Sequence, residues 1–215
     1  MKKEIITLLL GICMFLPQAN AGEKGKISVG TDLASSYVWR GTKFGHGPAL
    51  QPSIEYSTGI FTLGAWGSYN ISDNEAMEAD LYMSLDFDFG LSLGMTKYYF
   101  PTDPFFSGSS HAFELNSGFS AGAFSLQGNY IMNEGAGSAG GDLYFEAGIS
   151  TGKLDWFAGG GTGWHTPDGK FGLVNVGVAS SKDIKLTDSF SLPVSTAVVL
   201  NPTTEQFHVV FTLSL

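Results

Sequence analysis

Apolar and polar residues alternate with a period of two along most of this 215-residue sequence, from about residue 26 onward. In the segment 79–87, for example, the apolar positions are Ala79, Leu81, Met83, Leu85 and Phe87. A period of two places successive side chains on opposite faces of a β-strand. The sequence therefore predicts an all-β protein whose strands each have one apolar and one polar face.

About 12 such segments follow one another along the chain. They begin near Lys26, Ala49, Ile60, Met77, Leu91, His111, Phe124, Gly141, Leu154, Phe171, Phe190 and Gln206. Most supply about 9 to 11 residues, the length that a tilted membrane strand needs. An even number of strands of this length predicts a transmembrane antiparallel up-and-down β-barrel. A soluble β-sandwich or a lipocalin-like barrel is the alternative, because both also contain alternating strands.

The connections between these segments alternate in length. Short ones fall at 57–59, 88–90, 120–123 and 150–153, and longer ones at 41–48, 72–76, 101–110, 132–140 and 164–170. Outer-membrane barrels have short periplasmic turns and longer outside loops, so both termini are predicted on the periplasmic side. The connection 180–189 departs from this pattern, because it is long where a short turn is expected.

The composition supports a chain whose surface largely avoids water. Only 14% of the residues are charged, against about 25% in a typical soluble domain. Aromatic residues make up 13% and there are 29 glycines. The net charge of −9 argues against nucleic acid or anionic lipid as the main partner.

The first residues have the pattern of a cleavable signal peptide. Lys2 and Lys3 precede a short apolar run at 5–16, and the small-x-small sequence 19–21 follows. We predict cleavage after Ala21, which divides the chain into a signal peptide at 1–21 and an outer-membrane β-barrel at 22–215; a retained interfacial anchor is the alternative. Cys13, the one cysteine, leaves with the signal.

The last segment has the pattern of a closing barrel strand. Apolar residues occupy every second position from Phe207 to Leu215. This resembles the final strand that the barrel-assembly machinery recognises, so that machinery and outer-membrane lipid are the expected partners in the cell outer membrane.

Aromatic residues lie near the segment ends: Tyr37, Trp39, Tyr69, Tyr98, Tyr99, Phe100 and Trp164. Rings at these positions are typical of the girdles at the two membrane surfaces of a barrel. The alternative is that they reflect ordinary β-propensity.

Alternation turns a set of acidic residues away from lipid: Asp32, Glu55, Glu78, Asp80, Asp86, Glu114, Asp142, Glu146 and Asp155. A carboxylate does not stay charged in a dry interior without a partner. The set therefore favours a partly wet, electronegative lumen, and a packed polar plug is the alternative.

The candidate lumen and selectivity residues are Arg40, Glu55, Glu78, Asp80, Glu114 and Glu146. Arg40, placed at the outer end of the first strand, is expected to pair with an inward acid such as Glu55 or Glu78, or to shape a constriction.

No metal site, cofactor or catalytic residue is expected. Three histidines, His46, His111 and His165, fall in or beside predicted loops but lack a close ligand spacing, so solvated loop residues are the favoured interpretation. Ser109 and Ser110 precede His111 in a loop, and the chain has no G-x-S-x-G elbow.

Several short motifs resemble a known family. The sequence 36–41 (SYVWRG) resembles the TorF-like family of outer-membrane proteins described as porins, and the likeness continues at 48–52, 64–68, 78–82 and 98–101. The resemblance covers roughly 35–101 well and implies a barrel with a porin role, without established substrate or catalytic residues.

The expected function is passive diffusion of small polar solutes, with cations or neutral molecules preferred. The alternatives are a structural or adhesive barrel and, third, a lipid-modifying enzyme of the outer membrane.

Overall fold

The computed structural model of the chain describes residues 25–72 and 76–215. The predicted signal peptide at 1–21 lies outside the described residues. The strands are β1 (Lys26–Ala34), β2 (Tyr37–Trp39), β3 (Thr42–Phe44), β4 (Ala49–Thr58), β5 (Phe61–Asn70), β6 (Met77–Asp86), β7 (Leu91–Tyr99), β8 (His111–Ala121), β9 (Phe124–Ile131), β10 (Leu143–Thr151), β11 (Leu154–Gly163), β12 (Gly169–Lys185), β13 (Ser191–Asn201) and β14 (Gln206–Ser214). A 3₁₀ turn at Gly108–Ser110 precedes β8. In this part of the chain, no helix combines the length and the apolar character needed to cross a membrane.

Twelve of these strands form one closed antiparallel barrel. From β4 to β14 each strand pairs with its neighbour in sequence, and β1 closes the ring by pairing with both β4 and β14. The predicted up-and-down β-barrel of about 12 strands is thereby confirmed. The two remaining strands, β2 and β3, pair only with each other.

The two faces of the barrel wall follow the alternation in the sequence. On β6 the side chain of Leu81 is 54% exposed on the outer face, whereas its neighbours Asp80 and Tyr82 are buried on the inner face. Antiparallel pairing keeps this order across the wall, since Leu85 lies opposite Phe61 on β5 and Leu93 on β7. The outer surface of the barrel is therefore apolar and its interior contains the acids.

The two ends of the barrel differ in the length of their connections. At one end, here called the turn end, the strands are joined by 59–60, 87–90, 122–123, 152–153 and 186–190. The other end, called the loop end, has the longer connections 35–48, 71–76, 100–110, 132–142 and 164–168, together with the short turn 202–205. The first strand begins at Lys26, which pairs with Ser57 close to the turn end.

The irregular connection expected at 180–189 is resolved by longer strands. β12 continues to Lys185 and β13 begins at Ser191, and these two residues are register partners. The connection itself is only 186–190. The alternation was not visible in the sequence because residues 181–185 are exposed and polar residues there occupy both faces.

The predicted first strand was too long. β1 ends at Ala34, and the chain turns at 35–36 into the β2–β3 hairpin, which lies inside the barrel. Tyr37 and Trp39 are consequently buried rather than placed in a girdle on the outer face. Tyr98 and Trp164 belong to the same interior cluster, while Tyr69 keeps the outward position that was predicted.

Candidate functional site

The β2–β3 hairpin occupies the loop-end half of the barrel interior and contacts opposite walls. On one side Tyr37 and Trp39 pack into an aromatic cluster with Trp66, Tyr82 and Tyr98. The opposite side of the hairpin carries Val38. It packs against small apolar side chains of β12, β13 and β14, namely Ala179, Ala197, Val199 and Val210. Burial on both sides fixes the hairpin inside the barrel.

A tight turn at Arg40 and Gly41 forms the tip of this hairpin. Trp39 pairs with Thr42, so only two residues form the loop, and both have positive φ, 47° at Arg40 and 79° at Gly41. Positive φ at both positions is the requirement of a type I′ turn, which matches the twist of the flanking strands. A Cβ at Gly41 would lie 1.7 Å from the carbonyl oxygen of Val174, so only glycine fits against β12 here.

A β-bulge in β12 provides the seat for this tip. Gly159 of β11 pairs with Asn175 and Gly160 pairs with Leu173, which leaves Val174 as the extra residue. A bulge changes the direction of the side chain of its extra residue. Here the extra residue is Val174, and its side chain is fully buried. Asn201 of β13 completes the seat, because its side-chain amide donates to the carbonyl oxygen of Gly41 at 3.2 Å.

The strongest polar contact of the interior joins the hairpin to the opposite wall. Arg40 donates two hydrogen bonds to Glu114 of β8, from Nη1 to Oε1 at 2.6 Å and from Nη2 to Oε2 at 3.0 Å. Tyr98 and Asn116 also donate to Glu114 Oε2, at 2.8 and 2.7 Å. Glu114 is fully buried, so its charge depends on these donors.

Rings hold the Arg40 guanidinium from two sides. Its central carbon lies 4.5 Å from the ring centroid of Trp39 and 4.3 Å from that of Tyr144, both within cation–π range. Nη1 of Arg40 also lies 3.4 Å from Nε2 of His165. Burial, and secondarily the charge of Arg40, lower the pKa of His165 to about 3, so its ring is neutral near pH 7.

The lowered pKa of His165 predicts a pH dependence of stability. An unfolded chain protonates this ring near its ordinary pKa of about 6.5, whereas the folded protein does not until about pH 3. The unfolded state therefore binds more protons in this window, and the free energy of unfolding should fall as the pH is lowered from about 6.5 toward 3. Urea unfolding at pH 7 and pH 4.5 should show a smaller loss of stability in His165→Asn than in the unsubstituted protein. Equal losses in the two proteins would contradict this assignment.

Other lumen acids make their own contacts. Glu146 accepts hydrogen bonds from Tyr144 and, at 2.6 Å, from the side-chain amide of Asn175. Glu55 accepts one from the Tyr82 hydroxyl at 2.7 Å. Glu146 and Tyr144 lie beside Arg40, because Tyr144 also stacks on the guanidinium, whereas Glu55 lies farther toward the turn end, opposite Gly64.

Arg40 pairs with an inward acid other than the two examples that the sequence suggested. It bonds Glu114 rather than Glu55 or Glu78, and it lies at the tip of an internal hairpin rather than at the end of the first strand. Glu78 and Asp80 face inward on the loop-end half of β6 and are buried, at 4% and 1% exposure. The structure thus gathers Arg40, Glu114 and Glu146 around the hairpin tip.

Seven of the nine acids predicted to face inward fall into two groups along the barrel. Glu78, Asp80, Glu114 and Glu146 lie toward the loop end around the hairpin, buried or nearly so. Glu55, Asp86 and Asp155 lie toward the turn end and are only partly buried. Asp86 and Asp155 accept hydrogen bonds from Ser84 and Ser150. We call this second group the vestibule acids, because they are the more accessible carboxylates of the lumen.

The three loop histidines have separate environments. His165 faces Arg40 in the interior, whereas Nε2 of His111 lies 2.6 Å from the carbonyl oxygen of Phe105. His46 is exposed. Across 25–72 and 76–215, no group of three or more His, Cys, Asp or Glu side chains is arranged to hold a metal ion.

Sequence reasoning missed the hairpin, although one signal for it was present. Four inward positions of the last three strands carry apolar residues, where a water-filled lumen would favour polar ones: Ala179, Ala197, Val199 and Val210. Apolar residues on both faces of adjacent strands indicate that something covers the inner face. The β2–β3 hairpin covers this part of the inner face, through the side chain of Val38.

The arrangement defines a closed β-barrel with an apolar outer face, an interior containing acids, and an internal hairpin joined to the wall by an ion pair. It is compatible with an outer-membrane barrel. Comparison with protein-family models gives no match to this chain, and comparison with curated proteins gives none either.

Proposed function

We propose that the protein is an outer-membrane barrel that lets small polar solutes diffuse passively through a narrow, electronegative lumen. One observation carries the proposal: an apolar outer wall encloses an interior in which acids outnumber bases. The vestibule acids Glu55, Asp86 and Asp155 have no basic side chain among their hydrogen-bond partners in the described ranges. Such a lumen attracts cations and repels anions.

The β2–β3 hairpin would set the size limit of this pathway. It narrows the loop-end half of the interior, and its tip places the fixed charges of Arg40 and Glu114 side by side. A pathway beside this pair would favour small solutes that exchange hydrogen bonds with polar walls. The proposal involves no catalysis and no cofactor, and it agrees with the role that the TorF-like resemblance implies.

In this proposal the turn end faces the periplasm and the loop end faces the cell exterior, since outer-membrane barrels have short periplasmic turns. Export through a signal peptide at 1–21 and insertion by the barrel-assembly machinery are part of the same proposal.

Swelling of proteoliposomes tests the transport function. Vesicles containing the protein should swell in an isotonic solution of a small neutral solute such as glycerol or glycine, and should not swell in a large one such as raffinose. Absence of swelling in both would contradict passive diffusion.

One observation favours a structural or adhesive barrel as the second candidate. The hairpin packs on two walls, with Tyr37, Val38, Trp39 and Arg40 all buried, which is the construction of a plug. A plug that never moves would leave a stable barrel whose loops alone interact with partners. The swelling assay separates the two candidates, because a permanently plugged barrel passes neither solute.

Membrane placement predicts opposite effects for two neighbouring substitutions on β6. Met83 is 39% exposed on the outer face and Ser84 is buried on the inner face. An arginine facing hydrocarbon at mid-membrane depth costs about 2 to 4 kcal/mol in such barrels, whereas one facing the lumen can be hydrated. Met83→Arg should therefore reduce the amount of folded protein in the outer membrane far more than Ser84→Arg. Heat-dependent gel mobility of membrane fractions measures the folded amount, and equal amounts for the two variants would contradict the placement.

A further inference from the structure

A groove of about 500 Å³ crosses the outer face of the barrel at β4 to β7, toward the loop end. Small residues form its floor: Ala65, Gly67 and Ala79, of which Gly67 and Ala79 are register partners. Larger apolar side chains, Ile54, Leu81, Tyr69, Tyr99 and Phe105, form its sides. The volume lies within the range of small-molecule sites, and the small floor residues explain why the wall is hollow here.

A lysine stands beside this apolar groove. Lys97 of β7 lies opposite Leu81 on the outward-facing set, and its Nζ is 5.1 Å from the ring centroid of Phe105. In the described part of the chain, no carboxylate forms an ion pair with Lys97. A charged lysine on an apolar wall is expected only where its ammonium can reach head groups or another anion. Lys97 is two residues from the loop end of its strand, which corresponds to head-group depth in the membrane placement proposed above.

The loop above the groove presents two exposed phenylalanines. Phe105 packs against Tyr99, with ring centroids 5.1 Å apart, and is still 51% exposed. The rings of Phe106 and Phe105 are nearly perpendicular, with centroids 5.3 Å apart, and Phe106 is 99% exposed. Apolar surface of this extent is unfavourable in water and is typical of a site that meets a lipid or another apolar partner.

We propose that this groove binds the acyl chain of an anionic, phosphate-bearing lipid of the outer leaflet. Lys97 pairs with the lipid phosphate, the chain lies on the floor formed by Ala65, Gly67 and Ala79, and Phe106 inserts among neighbouring chains. Three features of the site support this occupant: the groove faces outward, Lys97 is the charged lining residue whose side chain lies on the outer face while Asp80 is buried on the inner face, and the rings beside it are exposed. The inference rests on the membrane placement proposed above but not on the passage of solutes.

Lipid retention by the purified full chain tests the proposal. Native mass spectrometry from detergent micelles would compare bound phosphatidylglycerol, which is anionic, with bound phosphatidylcholine, which is zwitterionic, at equal supply. The unsubstituted protein should retain phosphatidylglycerol in preference. Lys97→Gln should lower that retention about fivefold, the effect of about 1 kcal/mol for one basic residue near an anionic lipid surface. Ala79→Leu, which fills the floor and keeps the lysine, should also lower retention.

Lys182→Gln is the matched control, because Lys182 lies at the turn-end extension of β12, far along the chain from the groove. It should retain phosphatidylglycerol as the unsubstituted protein does, and heat-dependent gel mobility should show that all variants are folded. Equal retention of the two lipids, or unchanged phosphatidylglycerol retention in Lys97→Gln, would overturn the proposal. A barrel that stays in solution without detergent would overturn it together with the membrane placement, whereas failed solute swelling would leave the lipid result standing.

Discussion

Glu114→Gln should lower the free energy of unfolding by about 3 to 5 kcal/mol, the usual cost of removing one member of a buried ion pair. The substitution preserves shape but leaves the Arg40 guanidinium buried without its counter-charge. The four hydrogen bonds that Glu114 accepts from Arg40, Tyr98 and Asn116 would also lose their charged acceptor. Urea titration of the barrel in detergent micelles, followed by tryptophan fluorescence, measures the loss.

Two further variants make this result specific. Asp168→Asn breaks an exposed pair with Lys170, whose charged atoms are 3.8 Å apart, and should change stability little. The double variant Arg40→Met with Glu114→Leu removes both charges together and should recover part of the loss, as apolar replacements of buried pairs often do. If Glu114→Gln were no more costly than Asp168→Asn, the pair would not hold the hairpin against β8.

Opening the hairpin should increase conductance several-fold. Replacing 37–44 with a short glycine and serine linker would remove Trp39, Arg40 and their neighbours from the loop-end half of the lumen. Since the conductance of a pore rises with the cross-section of its narrowest part, single-channel currents in planar bilayers should become larger. Unchanged currents would mean that the pathway does not pass the hairpin.

A single substitution provides a milder form of the same test. Gly41→Ala would place a methyl group 1.7 Å from the carbonyl oxygen of Val174, at a φ of 79° that alanine rarely adopts. The tip should leave its seat, so large openings should become more frequent without loss of the barrel. Gly152→Ala is the matched control, because Gly152 has a φ of 71° in a turn-end connection and a methyl group there would meet only open space. It should strain a turn but leave the currents unchanged.

Most of the barrel was predictable because the two faces of its wall have opposite character, apolar outside and polar inside. Leu81 and Asp80 are neighbours in sequence, but Leu81 is exposed on the apolar outer face and Asp80 is buried on the polar inner face, so a period of two appears wherever the two faces differ in this way. The alternation weakens where that condition ends. At the turn-end extension of β12, both faces meet water, and the strand there could not be distinguished from a loop.

The internal hairpin was not predictable, for two reasons. The alternation that begins at Ile27 continues through Trp39, so a hairpin strand has the same pattern as a wall strand. The partner of Arg40 is 74 residues away in sequence, and the stagger of the closed sheet decides which inward side chains converge. Sequence spacing along a strand shows only that Arg40 and Glu114 avoid the outer face. Their bidentate contact follows from the position of the hairpin.

Ion selectivity in a planar bilayer tests the electronegative lumen most directly. With a KCl gradient across the membrane, the sign of the reversal potential should show that potassium passes more readily than chloride. The preference should weaken when Glu55→Gln, Asp86→Asn and Asp155→Asn are combined, and also as the salt approaches about 1 M, where the Debye length is about 3 Å. A reversal potential of the opposite sign, showing a preference for chloride, would contradict the account.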